Sequence, residues 1–142
     1  MKHTLTSATV IVALLLNLAL GNAILLLGSH MRWETAMHAA LSIGAVVVLL
    51  AGFTWAERLR KGWQAALAGL GCTLITPIVG FFLLGLVTPL QEGGSPGEAL
   101  GKGLVSAILF GGMGGWWFTP PFFLINMPAF YLHWCLSKRK QP

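Results

Sequence analysis

Apolar residues in this chain form four long runs separated by short polar segments. The runs cover residues 8–28, 36–56, 64–90 and 104–136. Each is long enough to cross the roughly 30 Å hydrocarbon core of a bilayer, which takes about 20 residues of α-helix. The pattern predicts an all-α membrane protein, a four-transmembrane-helix bundle forming one integral membrane domain over residues 1–142.

The fourth run is the longest and contains glycine, tryptophan and proline close together. A straight helix of this length, at about 1.5 Å per residue, would exceed the hydrocarbon core. Pro120 and Pro121 lack the N–H group that bonds four residues back, so they would free the carbonyls of Trp116 and Trp117. We therefore expect a long fourth helix, kinked or broken at Pro120-Pro121, with its bend facing the protein interior.

The positive charges at the ends of the runs predict the orientation. Arg32 and Lys102 would lie on one side of the membrane, together with residues 91–103, which their glycine and proline content predicts to be a loop. The other side would carry the remaining Lys and Arg residues: Lys2, Arg58, Arg60, Lys61, Lys138, Arg139 and Lys140. Because cytoplasmic loops are enriched in Lys and Arg, both termini are expected in the cytoplasm, at a bacterial-type inner (plasma) membrane.

The composition supports the membrane class. The chain is 56% hydrophobic and 9% charged, with a mean hydropathy of +0.76, whereas soluble domains carry about 25% charged residues. Its net charge of +5 lies in clusters at run ends, so the predicted partner is the lipid bilayer and not a nucleic acid. Residues 1–23 have an alternative interpretation as a cleaved signal peptide, although the run continues beyond the usual length of such a segment.

Small residues recur four positions apart inside three of the runs. Helices in lipid associate through such positions, because small side chains let two backbones approach closely. We expect helix packing at Gly44, Gly69, Gly111 and Gly115. These small-residue positions are more numerous than the packing of one four-helix bundle needs, which suggests a membrane-protein partner or a homo-oligomer.

The runs offer little chemistry, because no Asp, Glu, Lys or Arg lies deep in any of them. Asn17, Asn22 and Asn126 are the strongest polar groups at membrane depth, and each is expected to make an interhelical hydrogen bond. The chain has no Asp for a Ser-His-Asp arrangement, and Cys72 and Cys135 are expected to be buried thiols. We therefore predict no catalytic residue, no metal site and no enzymatic activity.

Two histidines are candidate ligands of a haem or pigment. His38 is predicted near the outer end of the second helix and His133 near the cytoplasmic end of the fourth. Residues at opposite sides of the bilayer cannot share one haem as axial ligands. Binding of a haem or pigment by one histidine alone is therefore the lesser alternative, and no cofactor is predicted.

The resulting functional hypothesis is a non-enzymatic accessory or interaction subunit that packs on a membrane partner or on itself. The alternative is a small transporter or channel acting as an oligomer, with its site near the Thr119-Pro120-Pro121 bend. In either case we expect the binding residues for a ligand or partner to be Trp116, Trp117, Thr119 and Asn126.

Overall fold

The computed structural model describes residues 2–28, 35–115 and 119–139, and within these ranges the protein is helical with no strand. Three helices are long and apolar enough to cross a membrane, and they follow the first three apolar runs: α1 (Lys2–Gly28), α2 (Thr35–Ala56) and α3 (Gly62–Gln91). The helix α1 begins six residues before its apolar run, at Lys2. The all-helical membrane class predicted from the sequence is thus confirmed, with three candidate spans.

The remaining part of the chain is built from shorter elements: α4 (Pro96–Ser106), a π-helical segment (Ala107–Gly114) and α5 (Pro120–Lys138). The run predicted as one long helix, kinked or broken at Pro120-Pro121, is divided into these elements, and α5 begins at Pro120. Pro120 and Pro121 occupy the first turn of α5. This turn suits proline, because its N–H groups have no helical partner in any case. Trp116 and Trp117, whose carbonyls the prolines were expected to free, lie outside the described residues.

The segment predicted as a loop, residues 91–103, is largely helical. Gly93 turns the chain with a φ of 81°, and α4 begins at Pro96. The backbone N–H of Glu98 donates a hydrogen bond to the Ser95 hydroxyl at 3.2 Å, which caps the helix. A serine followed by proline and then by glutamate three positions on is a helix-start signal, and the surrounding glycines concealed it.

The helix α3 is the centre of the fold. It packs against α2, α4, the π-helical segment and α5, whereas α1 packs against α2 and α5. Gly111 lies against Ile78, and further along the chain Asn126 lies against Gly69. Because the partner positions on α3 fall as the residue number rises, the chain from α4 to α5 runs back along α3 in the antiparallel direction.

A close-packed core fills the end of the bundle nearest residues 57–61, which we call the 57–61 end. The rings of Phe53 and Phe130 stack there with their centroids 4.1 Å apart, and both side chains are buried. Small residues of three helices surround the rings: Ala13, Ala56, Ala65 and Ala68. The opposite end, nearest residues 92–95, is here called the 92–95 end.

The four glycines predicted as packing positions all lie where two helices of this chain touch: Gly44, Gly69, Gly111 and Gly115. A Cβ added at Gly44 would lie 2.9 Å from the Cα of Gly80, and one added at Gly111 would lie 2.5 Å from the Cα of Ile78. Both distances are too short for a side chain, so glycine is required for these backbone approaches. These small-residue contacts are therefore made within the chain.

Candidate functional site

The 92–95 end of the bundle contains a cavity with a volume of about 830 Å³. Residues of α1 line one side, residues of α4 and the π-helical segment line the other, and α2 and α3 line the remaining wall. Sites for single small molecules typically measure about 300–1,000 Å³. The cavity is therefore large enough for a ligand, and it is the candidate functional site.

The helix arrangement explains why the bundle is open at this end. At the 57–61 end, α5 packs on α1 and closes the bundle, whereas α4 and the π-helical segment pack on α3. Glycines on the cavity wall leave further space. A Cβ added at Gly101 would meet nothing within 4 Å, and one added at Gly21 would meet only the ring of Phe122, at 3.8 Å.

Three buried polar side chains form the floor of the cavity. The Nδ2 of Asn17 donates to the Oδ1 of Asn126 at 2.6 Å, and the Nδ2 of Asn126 donates to the Oδ1 of Asn17 at 3.0 Å. Asn126 also donates to the hydroxyl of Thr73 at 2.8 Å. The network joins α1, α3 and α5 at the level where the cavity ends.

The polar groups of the floor satisfy one another. Asn17 uses its second amide hydrogen on the carbonyl of Ala13, and the Thr73 hydroxyl donates to the carbonyl of Gly69. Every amide hydrogen of the two asparagines therefore has an acceptor, and each amide oxygen accepts a bond. The floor therefore has no amide hydrogen available to bond a polar ligand, so the cavity suits an apolar ligand.

The threonines along the α3 wall are also satisfied within their helix. The hydroxyl of Thr76 donates to the carbonyl of Cys72, and that of Thr88 donates to the carbonyl of Leu84. Because these bonds go to the preceding turn of the helix, each hydroxyl hydrogen points away from the cavity. The surface that this wall offers is consequently dominated by methyl and methylene groups.

The cavity is open to the surroundings along an apolar edge. Val105 and Phe110 line it, yet 55% and 57% of their surfaces remain exposed. On the opposite side Leu25 lines the cavity and is half-buried. An opening bordered by such side chains faces a hydrocarbon environment more readily than water.

An ion pair lies at the end of the cavity nearest residues 92–95. Lys102 lines the cavity, and its Nζ lies 2.9 Å from the Oε1 of Glu98 one turn earlier on α4. Both side chains are about half exposed.

The structure brings together two of the four residues predicted to bind a ligand or partner. Thr119 and Asn126 both line the cavity, and the predicted packing residue Gly115 also lies on its wall. Trp116 and Trp117 lie outside the described residues. Thr73, which lies four residues after Gly69 on a small-residue face, also lines the cavity but was not among the residues predicted to bind a ligand.

The histidines lie far apart, each bonded to a neighbouring helix. The Nδ1 of His38 lies 2.6 Å from the Oδ1 of Asn22, and the Nε2 of His133 lies 3.0 Å from the Oε1 of Glu57. Because Glu57 follows His38 by 19 residues along the α2 direction, roughly 28 Å separate the two sites. The bond between Glu57 and the buried His133 was not predicted from the sequence.

Comparison with known protein families, with curated protein sequences and with solved structures finds no match to this chain. Within the part of the chain that the structure describes, no three His, Cys, Asp or Glu side chains come together as a metal site would require.

Proposed function

We propose that the chain crosses a bacterial-type inner membrane four times, with both termini in the cytoplasm. In this proposal α4, the π-helical segment and α5 together make the fourth crossing. Their antiparallel course along α3 supports it, because α3 itself is long enough to span the bilayer. The concentration of Lys and Arg near residues 58–61 and 138–140 supports the orientation. The cavity would then lie in the outer half of the membrane.

We further propose that the protein is a non-enzymatic membrane protein that holds an acyl chain of one membrane lipid in this cavity. The observation that carries the proposal is the apolar opening between α1 and the wall formed by α4 and the π-helical segment, which we call the α4–π wall. A flexible hydrocarbon chain fits such a cavity without requiring hydrogen bonds. The ion pair at the outer end lies where the polar head of the lipid would be.

A lipid chain suits this cavity better than a transmembrane helix of a partner protein. Helix interfaces in membranes use small residues that allow close backbone approach. The opening of the cavity is bordered by Val105 and Phe110 on one side and by Leu25 on the other, and all three side chains are large. A flexible chain can follow such an uneven surface, whereas a helix would be held away from it.

The transporter or channel predicted as the alternative has one supporting observation, since Thr119 and Asn126 line the cavity. A path through the protein would have to continue past the stacked Phe53 and Phe130 at the 57–61 end. Solute flux through liposomes that contain the purified protein would establish this alternative. Lipid binding without flux is the result that our proposal predicts.

The direct test is native mass spectrometry of the protein extracted in a mild detergent, followed by lipid analysis of the same sample. We expect one lipid bound per chain and retained at activation energies that remove detergent. A preparation with a second protein or a second copy and no bound lipid would contradict the proposal. It would favour the accessory subunit predicted from the sequence.

A further inference from the structure

The outer end of the cavity determines which lipid head group fits, an inference that rests on the proposed binding of a lipid chain. Lys102 is both a cavity residue and a member of the ion pair with Glu98. A chain lying in the cavity would bring its head group to this pair. The charges around the pair therefore bear on the selection of the lipid.

These charges do not favour an anionic head group. Among the described residues at this end, Glu98 bonds directly to Lys102, and Glu92 lies in the turn between α3 and α4. Two carboxylates thus accompany one ammonium group. A lipid with a net negative charge would gain one attraction and meet two repulsions.

A zwitterionic head group matches the same pair. Its phosphate can approach the ammonium group of Lys102, while its own ammonium group approaches the carboxylate of Glu98. The existing pair is exposed and therefore weak, so exchanging it for two contacts with the head group leaves neither side chain without a counter-charge. Both partners lie on one face of α4, because they are four residues apart.

We propose that the cavity selects a zwitterionic phospholipid, with the phosphate bound at Lys102 and the head-group ammonium bound at Glu98. Lipids of the phosphatidylethanolamine and phosphatidylcholine types carry this charge arrangement. Phosphatidylglycerol, with the same chains, lacks the ammonium group. Head-group charge, and not chain chemistry, distinguishes these lipids at the site.

The test is a competition experiment on the full-length protein in detergent, read by native mass spectrometry. Equal amounts of phosphatidylethanolamine, phosphatidylcholine and phosphatidylglycerol with identical acyl chains are added. We expect the two zwitterionic lipids to exceed phosphatidylglycerol by about tenfold in bound fraction, equivalent to a tenfold ratio of dissociation constants. Glu98→Lys should reverse the order, since the site would then carry two ammonium groups.

A matched variant at the other end of the bundle, Lys138→Glu, controls for a change in total charge and should preserve the order. Equal binding of the three lipids by the unaltered protein, or an unchanged order in Glu98→Lys, would overturn the head-group assignment while leaving chain binding in place. The absence of any retained lipid would instead overturn the proposed function on which it rests.

Discussion

Asn17, Asn126 and Thr73 show how single polar side chains organise this otherwise apolar bundle. Each lies on a different helix and each is buried. Interhelical hydrogen bonds in membrane proteins contribute about 0.6–2 kcal/mol each. Loss of one partner is more costly, because the other is left buried and unpaired.

This asymmetry predicts the behaviour of single and double substitutions. Asn126→Leu alone should lower the free energy of unfolding by about 1–3 kcal/mol, because Asn17 loses its partner. The double variant Asn17→Leu/Asn126→Leu should lose much less than the sum of the two single losses, since no unpaired amide remains. Thermal unfolding in detergent measures all three values. Additive losses would show that the two asparagines do not act as a pair.

The sequence predicted the type of these interactions but not the partners. Asn17 and Asn22 were expected to bond to other helices, and they do so with Asn126 and His38. A side chain at membrane depth has few other ways to satisfy its amide, so the type follows from position alone. The partners depend on the rotation and register of two helices, which the local sequence does not contain.

At the scale of helices, the length of a hydrophobic run predicted the helix limits well where one run forms one helix. The helices α2 and α3 begin and end within a few residues of their predicted limits. The fourth run forms several elements: α5 begins at Pro120, where a kink or break was predicted, but the π-helical segment at Ala107–Gly114 was not predicted. The start of α4 was missed although Ser95, Pro96 and Glu98 signalled it.

Two adjacent glycines in the π-helical segment provide a matched test of the helix contacts. Gly111→Ala would bring a Cβ to 2.5 Å from the Cα of Ile78, and overpacking of this kind costs about 1–3 kcal/mol. Gly112→Ala meets only the carbonyl of Ala107 at 3.8 Å and should change stability by less than about 0.5 kcal/mol. Thermal unfolding in detergent measures the stability of both variants. Equal stability would mean that the π-helical segment does not pack on α3 in the membrane.

At the scale of the whole molecule, the orientation can be tested with cysteines placed at the two ends. Gln91 and Arg60 are both exposed, at the 92–95 end and the 57–61 end respectively. In intact cells a membrane-impermeant maleimide should label Gln91→Cys, and it should label Arg60→Cys only after lysis. The unaltered chain, with its buried Cys72 and half-buried Cys135, gives the background. The reverse pattern would place both termini outside.

The cavity also belongs to this scale, and the sequence could not have predicted it. It exists because α1 and the α4–π wall stand apart at the 92–95 end, while α5 closes the bundle at the 57–61 end. No local pattern encodes that separation. Thr119 and Asn126 were anticipated as candidate ligand residues from their polarity, but the apolar walls around them come from all the helices together.

The central claim, that a lipid chain occupies the cavity, is tested most directly by filling the cavity with a side chain. Gly21 lines the cavity, and a Cβ added there would meet only the ring of Phe122 at 3.8 Å, whereas a Cβ added at Gly71, which does not line the cavity, would meet nothing within 4 Å. Leucine improves helix propensity at both positions, so both variants should fold. The measurement is the number of lipids per chain after identical purification, by native mass spectrometry.

We predict that Gly21→Leu reduces the bound lipid by about tenfold or more, because the leucine occupies the space of the acyl chain. The unaltered protein and Gly71→Leu should both retain one lipid per chain. Full retention in Gly21→Leu, or an equal loss in both variants, would contradict the account, since the lipid would then be bound somewhere other than the cavity.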